Sequence, residues 1–185
     1  MSKVQEKKSD RDLLAEHFNG TTPLRVLVIT MSDRASAGVY EDKSGPRLRE
    51  HIEDFFQGSG TNLSIEAEIL SDDAEGLRKT LERARDDGVH VVFTTGGTGV
   101  GPRDNTPDVV LDMADKVIPG IMELIRIKYG ADKPCALISR TVAATLGDTL
   151  VYTLPGSRKG VDEYMGEIVN SIEHLICVMH GLEVH

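Results

Sequence analysis

Tryptophan is absent from this 185-residue chain, and phenylalanine and tyrosine contribute four residues each. A core without many large rings must be packed from Val, Ile, Leu, Met and Ala. Cysteine is nearly absent too: Cys135 and Cys177 are the only two, which excludes a disulfide-stapled scaffold. The opening stretch "MSKVQEKKSDRDLLAEHF" lacks the apolar block of a secretory signal. The thiols are therefore expected free, in a reducing cytoplasm. No run is long and apolar enough to span a bilayer. Positive charge is in deficit, with 21 Lys and Arg against 30 Asp and Glu and a net charge of −9. No basic stripe offsets that balance, which argues against general binding to nucleic acid or an anionic membrane. A local pocket for a small anion stays open.

What is present suits one globular domain, with 39% hydrophobic and 28% charged residues. Residues 1–22 are expected to be a flexible arm with one helical turn around "DLLAEHF", and the domain to occupy 23–185. "LRVLVITM" is a continuous apolar run and reads as a buried strand. Ser44 stands where a helix N-cap belongs, with Pro46 in the first turn and Leu48, Ile52 and Phe55/Phe56 at helical spacing. "NLSIEAEIL" alternates as a second strand. Asp72 or Asp73 caps a helix through "AEGLRKTLERARDDG", and "VHVVFTT" is a third strand. Thr106 and Pro107 suggest the cap and first turn of a helix running to about Lys116. "PGIMELIRIKYG" is a further helix. Two extended stretches then flank a turn at Gly147-Asp148, and a helix from about Lys159 to Met179 closes the chain. Strands alternating with helices imply a mostly parallel sheet covered on both faces, and the late hairpin adds one antiparallel strand.

Chemistry gathers in "FTTGGTGVGPRDNTPD", residues 93–108. Ligands of open α/β sheets bind beyond the carboxyl ends of the strands. Four loops leave such ends here: "SDRASAG", "SDD", "TTGGTGVGPRDNTPD" and "LPGS". Gly96, Gly97, Gly99 and Gly101 allow a ligand close to the main chain, whose N–H groups would hold anionic oxygens beside a helix start. No lysine completes a P-loop, and the spacing is not that of a dinucleotide fingerprint. A phosphate cradle and a plain strand-to-helix turn are both open readings. Asp104 is either a helix cap or functional. A carboxylate beside a phosphate needs an intervening cation, and Mg²⁺ suits one or two carboxylates plus phosphate oxygens. Asp72, at another strand end, is the second candidate metal ligand.

In this order, "ITMSDRASAGVYEDKSGP", "VFTTGGTGVGPRDNTPD", "IPGIMEL", "LISR" and "LPGS" resemble the MogA/MoaB family of molybdenum-cofactor biosynthesis, whose domain recurs in gephyrin. The resemblance spans about residues 24–160. It implies a three-layer α/β/α sandwich, usually a homotrimer. It also implies a molybdopterin adenylyltransferase that uses ATP and Mg²⁺, transfers AMP to the molybdopterin phosphate and releases pyrophosphate. Contact with other cofactor-biosynthesis proteins would follow. The acids carried over as catalytic are Asp72 and Asp104. Thr95, Gly96, Gly97, Thr98 and Gly99 would bind phosphate or pterin. Ser32, Asp33, Ser139, Arg140, Pro155 and Gly156 match further ligand positions. Arg158 stands where the family often has proline, and Ile121 where phenylalanine is common. A non-catalytic pterin-binding scaffold of the same fold is the alternative, and another nucleotide-processing enzyme with a GGTG-type cleft is the third reading. The pair Asp72 and Asp104 favours the enzyme.

Several features carry bland readings beside sharp ones. His174, Cys177 and His180 share a helical stripe, either a metal site or a half-buried helix face. Cys135 has no acid or histidine partner nearby in sequence and reads as a small core residue. Arg103 either pairs with Asp104 or faces a phosphate. "EDKSG" is either an Mg²⁺ or phosphate loop or simply the helix cap at Ser44.

Overall fold

In a computed structural model describing residues 8–182, six strands form one sheet. They are β1 (Leu24–Met31), β2 (Leu63–Leu70), β3 (Val91–Thr95), β4 (Lys116–Val117), β5 (Ala143–Leu146) and β6 (Thr149–Leu154). The order across the sheet is β2-β1-β3-β6-β5-β4. Four strands are parallel, in the register Met31↔Leu70, Thr30↔Thr95 and Thr95↔Leu154, so their carboxyl ends share one rim. β5 is antiparallel to both its neighbours and is the one strand that runs against the rest, as expected.

The helices are α1 (Asp10–His17), α2 (Asp33–Ser36), α3 (Ser44–Phe56), α4 (Ala74–Asp86), α5 (Thr106–Met113), α6 (Pro119–Gly130) and α7 (Arg158–Met179). Strand alternation decides which face each one covers, because successive side chains point to opposite sides. Val26, Val28 and Phe93 join a cluster with Leu48 and Ile52 of α3, Met122 of α6, and Val161, Ile168 and Ile172 of α7. Leu27, Ile29, Met31 and Val92 join a separate cluster with Leu77 and Leu81 of α4 and Val109 and Val110 of α5. The molecule is thus a three-layer sandwich with α1, α3, α6 and α7 on one face and α4 and α5 on the other.

Several expectations need correction. Residues 10–18 of the expected arm fold as α1 and its cap and pack on the domain, and residues 19–22 are exposed. Ser9 and Asp12 form a reciprocal capping box at the start of α1, and Leu14 and Phe18 are 0% exposed in the core. Two buried apolar side chains anchor the segment against the domain, and burial of this kind stabilises by roughly 1.5–3 kcal/mol per side chain. Residues 1–7 of the expected arm lie outside the described residues. α5 stops at Met113, because residues 116–117 pair with β5 instead. Leu137 and Ile138, expected in the first extended stretch, lie instead in a 3₁₀ turn over residues 134–138. Ser44 is not the cap of α3. The carboxylate of Asp42, two residues upstream, accepts from the Ser44 and Gly45 N–H groups at 3.0 and 3.1 Å.

Candidate functional site

β1 turns to β2 on one side, and the chain then crosses to β3 on the other, so the loops after β1 and β3 diverge. A crevice opens at such a switch point. Here it is a cleft of about 830 Å³. Of the residues expected at a ligand site, Ser32, Asp33, Asp72, Gly96, Gly97, Thr98, Gly99, Asp104 and Gly156 line it. Four loops separated in sequence are brought together there by the common strand register.

The glycine loop is shaped by positive φ at Gly96 (104°) and Gly97 (62°). At Gly96 a Cβ would collide with the Met31 carbonyl, and at Gly97 with the Thr106 hydroxyl. Gly96 donates to Leu154 O at 3.0 Å, which fastens the loop to β6. Among the described residues the next three N–H groups, those of Gly97, Thr98 and Gly99, donate to no protein acceptor. Successive free N–H groups lining a cleft form an anion-binding concavity.

Both acids flank this loop. A Cβ at Gly97 would lie 3.7 Å from Asp72 Oδ1, and one at Gly99 would lie 2.7 Å from Asp104 Oδ2. Capping does not account for either carboxylate. α4 is capped by Asp73, which accepts from Gly76 N at 2.8 Å, and this leaves Asp72 facing the cleft. Asp72 Oδ2 accepts from Asp33 N, and Asp33 Oδ1 accepts from Asp72 N, both at 3.0 Å. Asp104 Oδ2 accepts from Gly101 N at 2.8 Å and closes the loop on itself. Thr106 does not cap α5 either: its N–H donates to Gly97 O at 3.1 Å, and its buried hydroxyl has no partner among the described residues. Arg103 lines the cleft but does not pair with Asp104. It bridges Asp33 Oδ1 at 2.7 Å and Asp72 O at 3.0 Å.

The remaining expected residues lie elsewhere. Thr95 is fully buried, and its hydroxyl donates to Pro155 O at 2.8 Å. Ser139 and Pro155 line an adjoining cavity with Lys133, Cys135, Lys159 and Tyr164, continuous with the first through Thr98, Gly99 and Ser157. Arg140 pins the glycine loop. Nε donates to Gly99 O at 2.7 Å, Nη1 to Asp108 at 2.7 Å, and Nη2 to Asp104 O. The guanidinium in turn holds the Asp108 carboxyl below the usual carboxylate range.

The cleft also holds residues the sequence reading set aside. Tyr40, Asp42, Lys43 and Ser44 of "EDKSG" and its approach line it, as do Arg34, Ser157 and Arg158. The acid, the serine and the lysine of that segment were the available signal, and the cap reading masked it. The stripe of His174, Cys177 and His180 is packing. His174 pairs with Asp10 at 3.0 Å, Cys177 is 0% exposed with its thiol pushed up to about 11 by burial, and the His180 ring packs at 5.6 Å from Phe18. Both cysteines are free, but Cys135 is exposed and lines the adjoining cavity, so it is not the core residue expected. Among the described residues no helix is long and apolar enough to cross a membrane.

By class the molecule is a three-layer α/β sandwich with a cleft at the carboxyl rim of its sheet, lined by free main-chain donors and flanking carboxylates. The family described as "probable molybdopterin binding domain" matches residues 27–174, and the chain belongs to it. Molybdopterin adenylyltransferase of Haemophilus influenzae is 37% identical over 144 residues, 77% of this chain and 72% of its own. The Escherichia coli K12 protein of the same name is 36% identical over 160 residues, 86% of this chain and 80% of its own. A solved structure of MogA superimposes with a TM-score of 0.77 at 32% identity, covering 84% of this chain and 99% of that one.

Proposed function

We propose that this chain is a molybdopterin adenylyltransferase: it joins the AMP of ATP to the phosphate of molybdopterin and releases pyrophosphate. The observation that carries the reading is the placement of Asp72 and Asp104 on either side of a loop with three free N–H groups, in one cleft. The relatives in Haemophilus influenzae and Escherichia coli bear that name.

An oxygen of the pterin phosphate attacks the α-phosphorus of ATP. The bond from that phosphorus to the bridging oxygen breaks, and pyrophosphate leaves with the electron pair. Two polyanions must be brought together, so charge compensation and alignment are the main tasks. The N–H groups of Gly97, Thr98 and Gly99 hold phosphate oxygens without reorganising at the moment of reaction. Arg140 keeps the loop in that shape. Correct alignment supplies on the order of 7–11 kcal/mol at best.

Asp72 and Asp104 are the residues that would hold Mg²⁺. No group of three or more His, Cys, Asp or Glu able to hold a metal exists among the described residues. A sparse donor set fits Mg²⁺, which keeps waters and substrate phosphates as its other ligands. When bound, the ion neutralises phosphate charge. The homotrimer, the cytoplasmic location and contacts with other cofactor-biosynthesis proteins belong to the same reading. Exposed Leu124, Ile127, Leu137 and Ile138 supply apolar surface for assembly.

The test is to mix protein, molybdopterin, ATP and Mg²⁺ and to measure pyrophosphate and adenylylated pterin. Equal yields of the two are expected. Pterin binding with neither product would establish the scaffold alternative and overturn the enzyme.

A further inference from the structure

We propose that Arg34, Lys43 and Arg158 form a second anion subsite in the cleft, which takes the β- and γ-phosphates of the nucleotide and holds them as the departing pyrophosphate. The subsite rests on the nucleotide reading of the cleft and gives a direction to the bound molecule.

Two acids and two bases enter the cleft from opposite faces of the sheet. Asp72 precedes α4 and Asp104 precedes α5, the two helices of one face. Lys43 precedes α3 and Arg158 begins α7, which cover the other face. α3 and α7 are tied together within two turns of their starts: Asp162 Oδ1 lies 2.5 Å from Arg47 Nε and 2.7 Å from His51 Nε2. Lys43 and Arg158 therefore enter the cleft from neighbouring helix starts. Arg34 joins them through Tyr40, whose ring carries the Arg34 guanidinium at 5.0 Å and the Lys43 ammonium at 6.0 Å. A shared ring restrains two flexible cations at modest cost.

None of the three cations has a carboxylate within ion-pairing distance among the described residues. Arg103, the other cation of the cleft, is already spent on Asp33. Asp42, the acid on the cationic wall, has both oxygens engaged, Oδ1 by Ser44 and Gly45 and Oδ2 by Thr30 Oγ1 at 2.7 Å. With Arg34, Lys43, Arg103 and Arg158 against Asp33, Asp42, Asp72 and Asp104, the cleft is formally neutral in a chain of net charge −9. Three cations without an ion pair line the same cleft as carboxylates that repel bare phosphate. A polyphosphate tail resolves the opposition by lying on the cationic wall. Charge that develops on the leaving oxygen then meets fixed positive groups. The same three cations hold free pyrophosphate after the bond breaks.

The experiment is calorimetric titration of AMP, ATP and pyrophosphate, each with Mg²⁺ and without pterin, into the wild type, Lys43→Gln, Arg158→Gln and the double variant. Each single change is expected to weaken ATP and pyrophosphate by about tenfold, the size of one charge-assisted contact, and AMP by less than about twofold. Lys43→Arg, which keeps the charge, is expected to retain affinity within about threefold. Unchanged melting temperatures confirm that the variants fold. A double variant that binds pyrophosphate like the wild type overturns the subsite, and so does an equal loss of AMP and pyrophosphate. A wild type that binds ATP no more tightly than AMP overturns the subsite and leaves the nucleotide reading standing. Normal pyrophosphate binding in a protein that makes no adenylylated pterin does the reverse. Failure to bind any of the three sinks both.

Discussion

Replacing Gly97 by alanine tests how tightly the anion loop is built. Gly97 sits at φ 62°, where an L side chain costs about 1–2 kcal/mol. The new Cβ would also collide with Thr106 Oγ1, which is 0% exposed and has no hydrogen-bond partner among the described residues. Crowding of that kind costs about 1–3 kcal/mol more, for a total of about 2–5 kcal/mol. Thr106→Ala by itself removes a hydroxyl that makes no bond and a methyl that packs, and the two effects offset to within about 1 kcal/mol. In the double variant the collision disappears and only the backbone strain remains. The cycle should therefore show a favourable coupling of about 1–3 kcal/mol. Urea unfolding of the four proteins, compared at constant m-value, measures it. A Gly97→Ala cost below about 0.5 kcal/mol, or a coupling of zero, would refute the loop geometry.

Three further outcomes follow. Asp104→Asn keeps an acceptor for Gly101 N but removes the charge. Turnover should fall by at least about tenfold with the urea midpoint unchanged, and normal pyrophosphate release would exclude a catalytic role for the carboxylate. Phe18→Ala should cost about 3–5 kcal/mol of stability, because the ring is fully buried among His17, His90 and His180. A flexible arm would show no loss on denaturation. His90 is pushed down to about 4, first by burial and then by the neighbouring His180, Arg25 and His17. Its folded value lies below its unfolded one, so the unfolded chain takes up the proton first. Stability is then complete above about pH 6.5 and declines as pH falls toward 4. The decline amounts to about 1–2 kcal/mol after allowance for solvent screening at this half-buried ring. Unfolding midpoints of the wild type and His90→Gln across that range should differ in slope, and parallel curves would count against the assignment.

Much of the fold was legible because its signals are local. "LRVLVITM" became β1 and "PGIMELIRIKYG" became α6 with the expected bounds, since a buried strand must be apolar on both sides and a proline suits a first helical turn. α1 was misjudged for the opposite reason. Leu14 and Phe18 are too few to look like a core segment, and only their burial against distant elements shows that they are one. β4 has two residues and exists because β5 offers it an edge.

At the site, residue type announced the chemistry and position decided its use. Glycines that tolerate positive φ, and acids next to them, suggest a phosphate cradle in any sequence. Whether Asp72 or Asp73 caps α4 could not be read from two adjacent aspartates. The direction of a single side chain separates them: Asp73 turns to Gly76, and Asp72 turns to Asp33. Arg140 matched a ligand position, yet its guanidinium is consumed by Gly99, Asp104 and Asp108. Lys43 and Arg158 are 115 residues apart in the chain, and nothing local marks them as partners. The amino-acid order by itself determined the elements, the glycine loop and the inventory of charges, because those depend on neighbours within a few residues. Only the tertiary structure decided which charges are spent on one another and which stay free for a ligand, because pairing depends on distances set by the sheet register and the packing of helices far apart in sequence.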